Sequence, residues 1–143
     1  MVEDQRLLRV AVSLILERHS DIWIIGESDL CKDAARAIVR KRPAVVLMDV
    51  ELPDGSGITL TEFLRRKLPE IRILMFTSDF SRETLIAAAR AGADGYCLKN
   101  APPGVLVEAI RTVAKGENWL DPRLGNDFRC LVGKRDNRRR EKA

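Results

Sequence analysis

Between Ile22 and Leu98 the chain alternates short, unbroken apolar runs with longer stretches whose apolar residues recur at helical spacing. The runs are IWII (22–25), AVVLM (44–48), IRILMF (71–76) and GYCL (95–98). Continuous apolar runs, as opposed to every-other positions, are expected of strands buried on both faces, the situation inside a parallel sheet. Between the runs the period changes. Leu30, Ala34, Ala37 and Ile38 form one stripe, Leu60, Phe63, Leu64 and Leu68 a second, and Leu85, Ile86 and Ala89 a third; Leu106, Ile110 and Val113 follow the last run. Each set lines one side of a helix. Repeated strand, helix, strand order predicts right-handed crossovers and a doubly wound α/β fold.

The boundaries carry their own chemistry. Ser28 or Asp29 can cap the helix near 30–42, and Ser81 the helix near 82–91. Pro102 and Pro103 fall in the first turn of a final helix near 103–115, where a missing N–H costs little. Gly92 and Gly116 are placed to stop helices. Leu7, Leu8, Ala11, Leu14 and Ile15 predict a helix over about 5–18. The alternation requires a strand before that helix, and Met1 to Glu3 suffice only for a stub.

A length of 143 residues, 45% hydrophobic and 32% charged, fits one globular domain with a short tail. No apolar run reaches membrane-spanning length and no secretory pattern opens the sequence, so a cytoplasmic protein is expected. The net charge of +4 resides at one end: KRDNRRREKA, from Lys134, holds six basic and two acidic residues, and the rest of the chain holds nineteen of each sign. The body is neutral, and the basic end reads as a solvated tail. Cys31, Cys97 and Cys130 stand singly, without metal-site spacing, and His19 lies alone in a polar turn, which disfavours a hydrolytic triad.

In an open parallel sheet, ligands collect outside the carboxyl ends of the strands. Asp49 follows AVVLM, Thr77 and Ser78 follow ILMF, Lys99 follows GYCL, and Glu3 and Asp4 precede the first helix. Three acids, a hydroxyl and an amine would meet at one edge. Clustered carboxylates repel one another, but they are the hard oxygen ligands that Mg²⁺ takes. Asp49 could then attack phosphorus, with Lys99 neutralising charge and Thr77 donating to a phosphoryl oxygen. Within VELPDGSG, Pro53, Gly55 and Gly57 allow turns that return the backbone over the acids.

Through VED (2–4), VVLMDVELPDGSG (45–57), ILMFTS (73–78) and AGADGYCLKNAPP (91–103), the sequence resembles the receiver domain of a two-component response regulator. GYCLKNAPP followed by VEAIRTVAKGENWLDP is similar to the subfamily that precedes a LuxR-type (NarL-type) helix-turn-helix. The resemblance implies a flavodoxin-like (CheY-like) sheet of order 2-1-3-4-5, here with strand 1 missing or a stub, a receiver over residues 1–121 and a basic tail or linker remnant over 122–143. It implies Asp49 as phosphoacceptor, Glu3 and Asp4 as Mg²⁺ acids, the Glu51 backbone carbonyl as a further ligand, Lys99 as the phosphate-binding lysine, and Thr77 with Tyr96 as a switch pair. Its partners would be a histidine kinase, a downstream protein or output domain and, as an open option, a second copy. A half-buried Tyr96 with its hydroxyl at the surface is the expected resting state.

Two departures stand out. Loss of an internal strand would leave unpaired backbone on both neighbours, a cost of several kcal/mol, comparable with the stability of a whole domain. After Asp121 only 22 residues remain, too few for a LuxR-type reader, so sequence-specific DNA binding within this chain is not expected. The expected function is phosphoryl acceptance and surface switching, not turnover catalysis. The alternatives are a non-phosphorylated interaction module or a truncated piece of a DNA-binding regulator. A phosphohydrolase of the haloacid dehalogenase kind is disfavoured, because Glu51 stands where that chemistry wants a second Asp.

Overall fold

A computed structural model of the chain describes residues 1–124. Four strands form one parallel sheet: β1 (Val45–Met48), β4 (Arg72–Thr77), β5 (Gly95–Leu98) and β6 (Trp119–Leu120), side by side in that order. β2 (Glu51–Leu52) and β3 (Gly55–Ser56) make a small antiparallel pair just beyond β1. The helices are α1 (Arg6–Leu16), α2 (Cys31–Lys41), α3 (Gly57–Lys67), α4 (Arg82–Ala91) and α5 (Pro103–Ala114). The sheet is buried on both sides, which explains its unbroken apolar runs. Met48, Ile73 and Met75 pack in a core with residues of α2, α3 and α4, whereas Leu47, Leu74 and Cys97 pack in a second core with α1 and α5.

The N-terminal stub takes the internal position expected of it. Val2 N–H donates to Leu47 O at 2.8 Å and Asp49 N–H to Val2 O at 3.0 Å. On its other side Glu3 N–H donates to Ser28 O and Ser28 N–H to Met1 O, both at 2.9 Å. Val2 thus forms parallel bridges with both Ser28 and Met48, and lies buried between them.

Three local expectations need correction. IWII does not form a strand: none of the described residues pairs with it along its length, and Trp23 is 83% exposed. In α1 the inward residues are Leu8, Val12, Ile15 and Leu16, while Leu7, Ala11 and Leu14 face solvent. The helix is apolar on two sides, and the sequence stripe mixed them. Neither Ser28 nor Asp29 caps α2. Its first turn is served from a distance by Asp54, in the β2–β3 turn, whose carboxylate accepts from Cys31 N–H (2.7 Å) and Lys32 N–H (3.0 Å). That contact ties the loop after β1 to the start of α2. Elsewhere the caps are as expected: Ser81 Oγ accepts from Thr84 N–H, Pro103 opens α5, and Gly92 ends α4 at φ +118°.

At the amino-terminal end of the sheet a buried acid holds three elements together. Asp94, just before β5, accepts from Arg65 of α3 (2.6 Å), from Arg72 of β4 (3.1 Å) and from Ile73 N–H (2.9 Å). Asp94 is fully buried, so every lone pair it directs at a donor replaces a lost water. Asp94→Ala should therefore lower unfolding free energy by about 3 kcal/mol, since two guanidinium groups and an amide lose their acceptor. The urea midpoint measures it, and a midpoint equal to that of the parent would show the clamp to be dispensable.

Candidate functional site

The opposite end of the sheet brings together most of the residues that the sequence singles out. β1 delivers Asp49 at its carboxyl end, 5% exposed. β5 delivers Lys99, whose backbone N–H is held by Thr77 O at 2.9 Å. The stub delivers Glu3, buried, and Asp4, exposed. Carboxylate oxygens of Glu3, Asp4 and Asp49 lie within 4.8 Å of one another.

Lys99 Nζ sits between two of these acids, donating to Asp49 Oδ2 at 2.7 Å and lying 2.8 Å from Glu3 Oε2. The Glu3 contact is one of charge, not of alignment, and Glu3 Oε2 stays a buried oxygen with no directed donor. Glu3 Oε1 accepts from Gln5 N–H at 3.0 Å, and Arg9 donates to the Glu3 carbonyl at 2.6 Å. Burial raises the Glu3 pKa, and the contacts with Lys99 and the Gln5 N–H only partly offset it. For Lys99, burial works against the ammonium, but the contacts with Asp49 and Glu3 outweigh it and hold its pKa above the ordinary value.

Three carboxylates and one ammonium leave the pocket with excess negative charge. Two carboxylates 4.8 Å apart repel by about 3 kcal/mol at an effective dielectric of about 20. A buried acceptor without a donor, within an all-oxygen set, fits a small divalent cation of the Mg²⁺ kind. Glu51 lies on β2, two residues past Asp49, with its side chain exposed.

Gly57 sets the shape of this floor. Its N–H donates to Val50 O at 2.7 Å, and a Cβ there would lie 1.8 Å from the Asp49 carbonyl. Only a glycine lets α3 start so close behind Asp49. Ser56 caps the helix by accepting from Ile58 N–H at 3.1 Å.

Thr77, at the end of β4, is buried and its Oγ1 accepts from Asp79 N–H at 3.1 Å, while Ser78 faces solvent. Tyr96 departs from the expected resting position. It is wholly buried, and its hydroxyl donates to Asp79 O at 2.6 Å. Burial raises its pKa, so the phenol remains a donor. The Asp79 carboxylate accepts from Ser81 N–H (2.8 Å) and Thr84 Oγ1 (2.7 Å), and these contacts, led by the Ser81 N–H, hold its pKa low. Asp79 is the junction of this edge, and the sequence reading overlooked it. The pattern Asp79, Ser81, Thr84 ahead of a helix is a turn-and-cap signal that could have revealed it.

The model of the response regulator receiver domain matches residues 1–111. The chain belongs to that family. It is 36% identical over 125 residues to the Oxygen regulatory protein NreC of Staphylococcus aureus (strain JH9), covering 87% of this chain and 58% of the relative. The chain thus spans somewhat over half the length of such curated relatives. Among solved structures, a LuxR-family two-component response regulator from Aurantimonas sp. superposes with TM-score 0.81 at 28% identity, covering 94% of each chain. A LuxR-family DNA-binding response regulator from Staphylococcus aureus gives TM-score 0.75 at 30% identity, over 79% of this chain and 94% of the other. The fold is the flavodoxin-like α/β receiver fold, and the relatives are of the NarL/LuxR type. Among the described residues no helix is long and apolar enough to cross a membrane. The basic tail and Cys130 lie outside the described residues.

The electrostatics of Glu3 lead to a signed expectation. Because its folded pKa is raised, Glu3 favours folding most at low pH, where it is protonated in both states. That contribution is lost as pH climbs through the raised folded value. A carboxyl-carbon NMR titration in metal-free buffer should place Glu3 above the ordinary glutamate range, and Glu3→Gln should flatten the stability–pH slope across that interval. A Glu3 midpoint in the ordinary range would show the carboxylate to be solvated.

Proposed function

We propose that this receiver accepts a phosphoryl group on Asp49 from the phosphohistidine of a histidine kinase in the cytoplasm, and passes the change to a protein-binding surface. The observation that carries the reading is the placing of Asp49. It is a buried carboxylate at the end of β1, held by Lys99 and lying within 4.8 Å of two further acids. In the transfer, an Asp49 oxygen forms the new O–P bond while the P–N bond of the donor breaks, and the imidazole leaves with a proton. Lys99 stays charged beside the oxygen it already contacts and offsets the added negative charge.

Glu3, Asp4 and Asp49, with the Glu51 carbonyl completing the set, would hold Mg²⁺, whose part is to neutralise charge on the transferred group. The role of this chain's residues is positional. The Val2 ladder and the Gln5 and Arg9 contacts hold Glu3 at the rim, and Gly57 keeps α3 clear of the Asp49 backbone. The domain is stoichiometrically modified, not a turnover catalyst.

The output runs through Thr77. A phosphoryl group on Asp49 adds nearly two negative charges and draws the Thr77 hydroxyl away from Asp79 N–H. Asp79 also takes the Tyr96 hydroxyl and anchors the first turn of α4 through Ser81 and Thr84, so releasing one of its bonds reshapes the α4–β5 face. The inward Tyr96 is the arrangement that this output favours. The downstream partner is a protein or a linked output domain that reads the face.

Two measurements test this reading. Incubation with Mg²⁺ and acetyl phosphate should give one phosphate adduct by intact mass, absent from Asp49→Ala and from samples with chelator. A folded protein that takes no adduct refutes the proposal. In Thr77→Val the adduct should still form, but the amide shifts of Thr84 and Leu85 that accompany it in the parent should shrink at least about threefold. Equal shifts in both proteins would place the coupling elsewhere.

A further inference from the structure

Glu51 enters the proposed Mg²⁺ set through its main chain, so whatever fixes that peptide bears on the metal. The ribbon that carries it is slight. β2 and β3 pair at only two positions, Glu51 with Ser56 and Leu52 with Gly55, around the turn of Pro53 and Asp54. A two-stranded ribbon of that size is marginal in water on its own. Of its residues Glu51, Pro53, Asp54 and Gly55 are exposed, and Leu52 alone is buried.

Alternation along the ribbon shows which way the Glu51 peptide faces. Gly57 N–H donates to Val50 O at 2.7 Å, so Val50 and Gly57 form a bonded pair, and the next pair, Glu51 with Ser56, is of the unbonded kind. The Glu51 carbonyl is thus turned away from its strand partner, as a carbonyl offered to a cation must be.

Two fastenings hold the ribbon, one at each end. At the base is the bond from Gly57 to Val50. At the tip Asp54 reaches α2, where its Oδ1 accepts from Cys31 N–H at 2.7 Å and its Oδ2 from Lys32 N–H at 3.0 Å. Both are first-turn donors with no acceptor inside the helix, and Leu30, at the cap position, offers them none. The two bonds, that from Lys32 N–H first, hold the Asp54 pKa below the ordinary carboxylate range, so the clamp is charged at neutral pH. The tip also lies against the helix start: a Cβ on Gly55 would stand 3.7 Å from Cys31 Sγ.

We infer that Asp54 is a positioning residue for the metal: by pinning the tip of the ribbon to the first turn of α2, it holds the Glu51 carbonyl at the edge of the acid pocket. The inference rests on the Mg²⁺ reading of Glu3, Asp4, Asp49 and Glu51 given above. Asp54 is not itself a ligand, since both of its oxygens are committed to α2. A small octahedral cation demands near-ideal ligand placement, so a Glu51 peptide that rocks about the ribbon base gives up affinity. The coupling is reciprocal, and Mg²⁺ returns to the clamp, as closure on α2, whatever affinity the clamp confers on Mg²⁺.

The test is Mg²⁺ titration by NMR, without phosphodonor, of the parent, Asp54→Ala, Asp54→Asn and Asp94→Ala. In Asp54→Ala the Kd for Mg²⁺ should rise at least about fivefold, and the Mg²⁺-induced shift of the Glu51 carbonyl carbon should shrink while the Asp49 carboxyl carbon still responds. Asp54→Asn, which keeps one acceptor oxygen, should fall between the two. Asp94→Ala loosens the opposite end of the sheet and should keep the parental Kd within about twofold. In the parent, saturating Mg²⁺ should slow amide exchange at Cys31 and Lys32 by a factor that matches the change in Kd. A parental Kd and Glu51 shift in folded Asp54→Ala overturn the inference. So does a Kd that rises equally in Asp94→Ala, since the clamp would then act only through stability. The exchange readout needs no variant, and amides of Cys31 and Lys32 indifferent to bound Mg²⁺ overturn it as well. A parent that binds no Mg²⁺ refutes the metal reading itself and takes this inference with it.

Discussion

Val2 is the residue on which the remaining geometry depends. Its N–H and C=O are both committed to β1, one to Leu47 and the other to Asp49, and its neighbours on either side are committed to Ser28. These bonds fix the stub in a single register. A shift by one residue would exchange Glu3, buried at the pocket rim, with Val2, buried among apolar side chains, and each would then be in the wrong medium. The acid pair is thus located by pattern as much as by bonding. A short stretch can hold such a position because it is flanked on both edges, so that each residue adds bonds in two directions.

Much of this arrangement was readable from residue order. The runs at 44–48, 71–76 and 95–98 became β1, β4 and β5 nearly to the residue, because a strand buried on two faces tolerates few polar positions. Asp49, Thr77 and Lys99 were legible for a related reason: in a parallel sheet, the residue after each run lands on the same edge. The misread parts depend on what lies next door. IWII has strand composition, yet pairing is a property of two segments, and none of the described residues pairs with this one. The cap on α2 comes from Asp54, 23 residues beyond the helix start, where no local spacing rule could point. Asp79 escaped notice because its carbonyl, indifferent to side-chain identity, is the group that takes the Tyr96 hydroxyl.

The two ends of the sheet divide the work between permanence and response. At the amino-terminal end, Asp94 is saturated by donors from α3 and β4, and Arg65 reaches on to the carbonyls of Gly92 and Ile71. Among the described residues, no buried side-chain nitrogen or oxygen there lacks a hydrogen-bond partner. At the carboxyl end, Glu3 has a buried oxygen without a directed donor, Glu3 and Asp49 share one lysine, and the Thr77 hydroxyl accepts from a residue that serves α4 as well. Incomplete satisfaction is where a domain can be biased by a small charge change. A saturated opposite end keeps that bias from dispersing through the strands.

The closeness of Gly57 to the Asp49 carbonyl has a consequence for sequence drift. A methyl group at position 57 would have to displace main chain, whereas at Gly104, on α5, no atom lies within 4 Å of the same imagined carbon. In a randomised library sieved only for soluble expression, position 104 should wander freely and position 57 should return glycine almost every time. Two glycines of the same chain would then look, to anyone counting survivors, like entirely different letters.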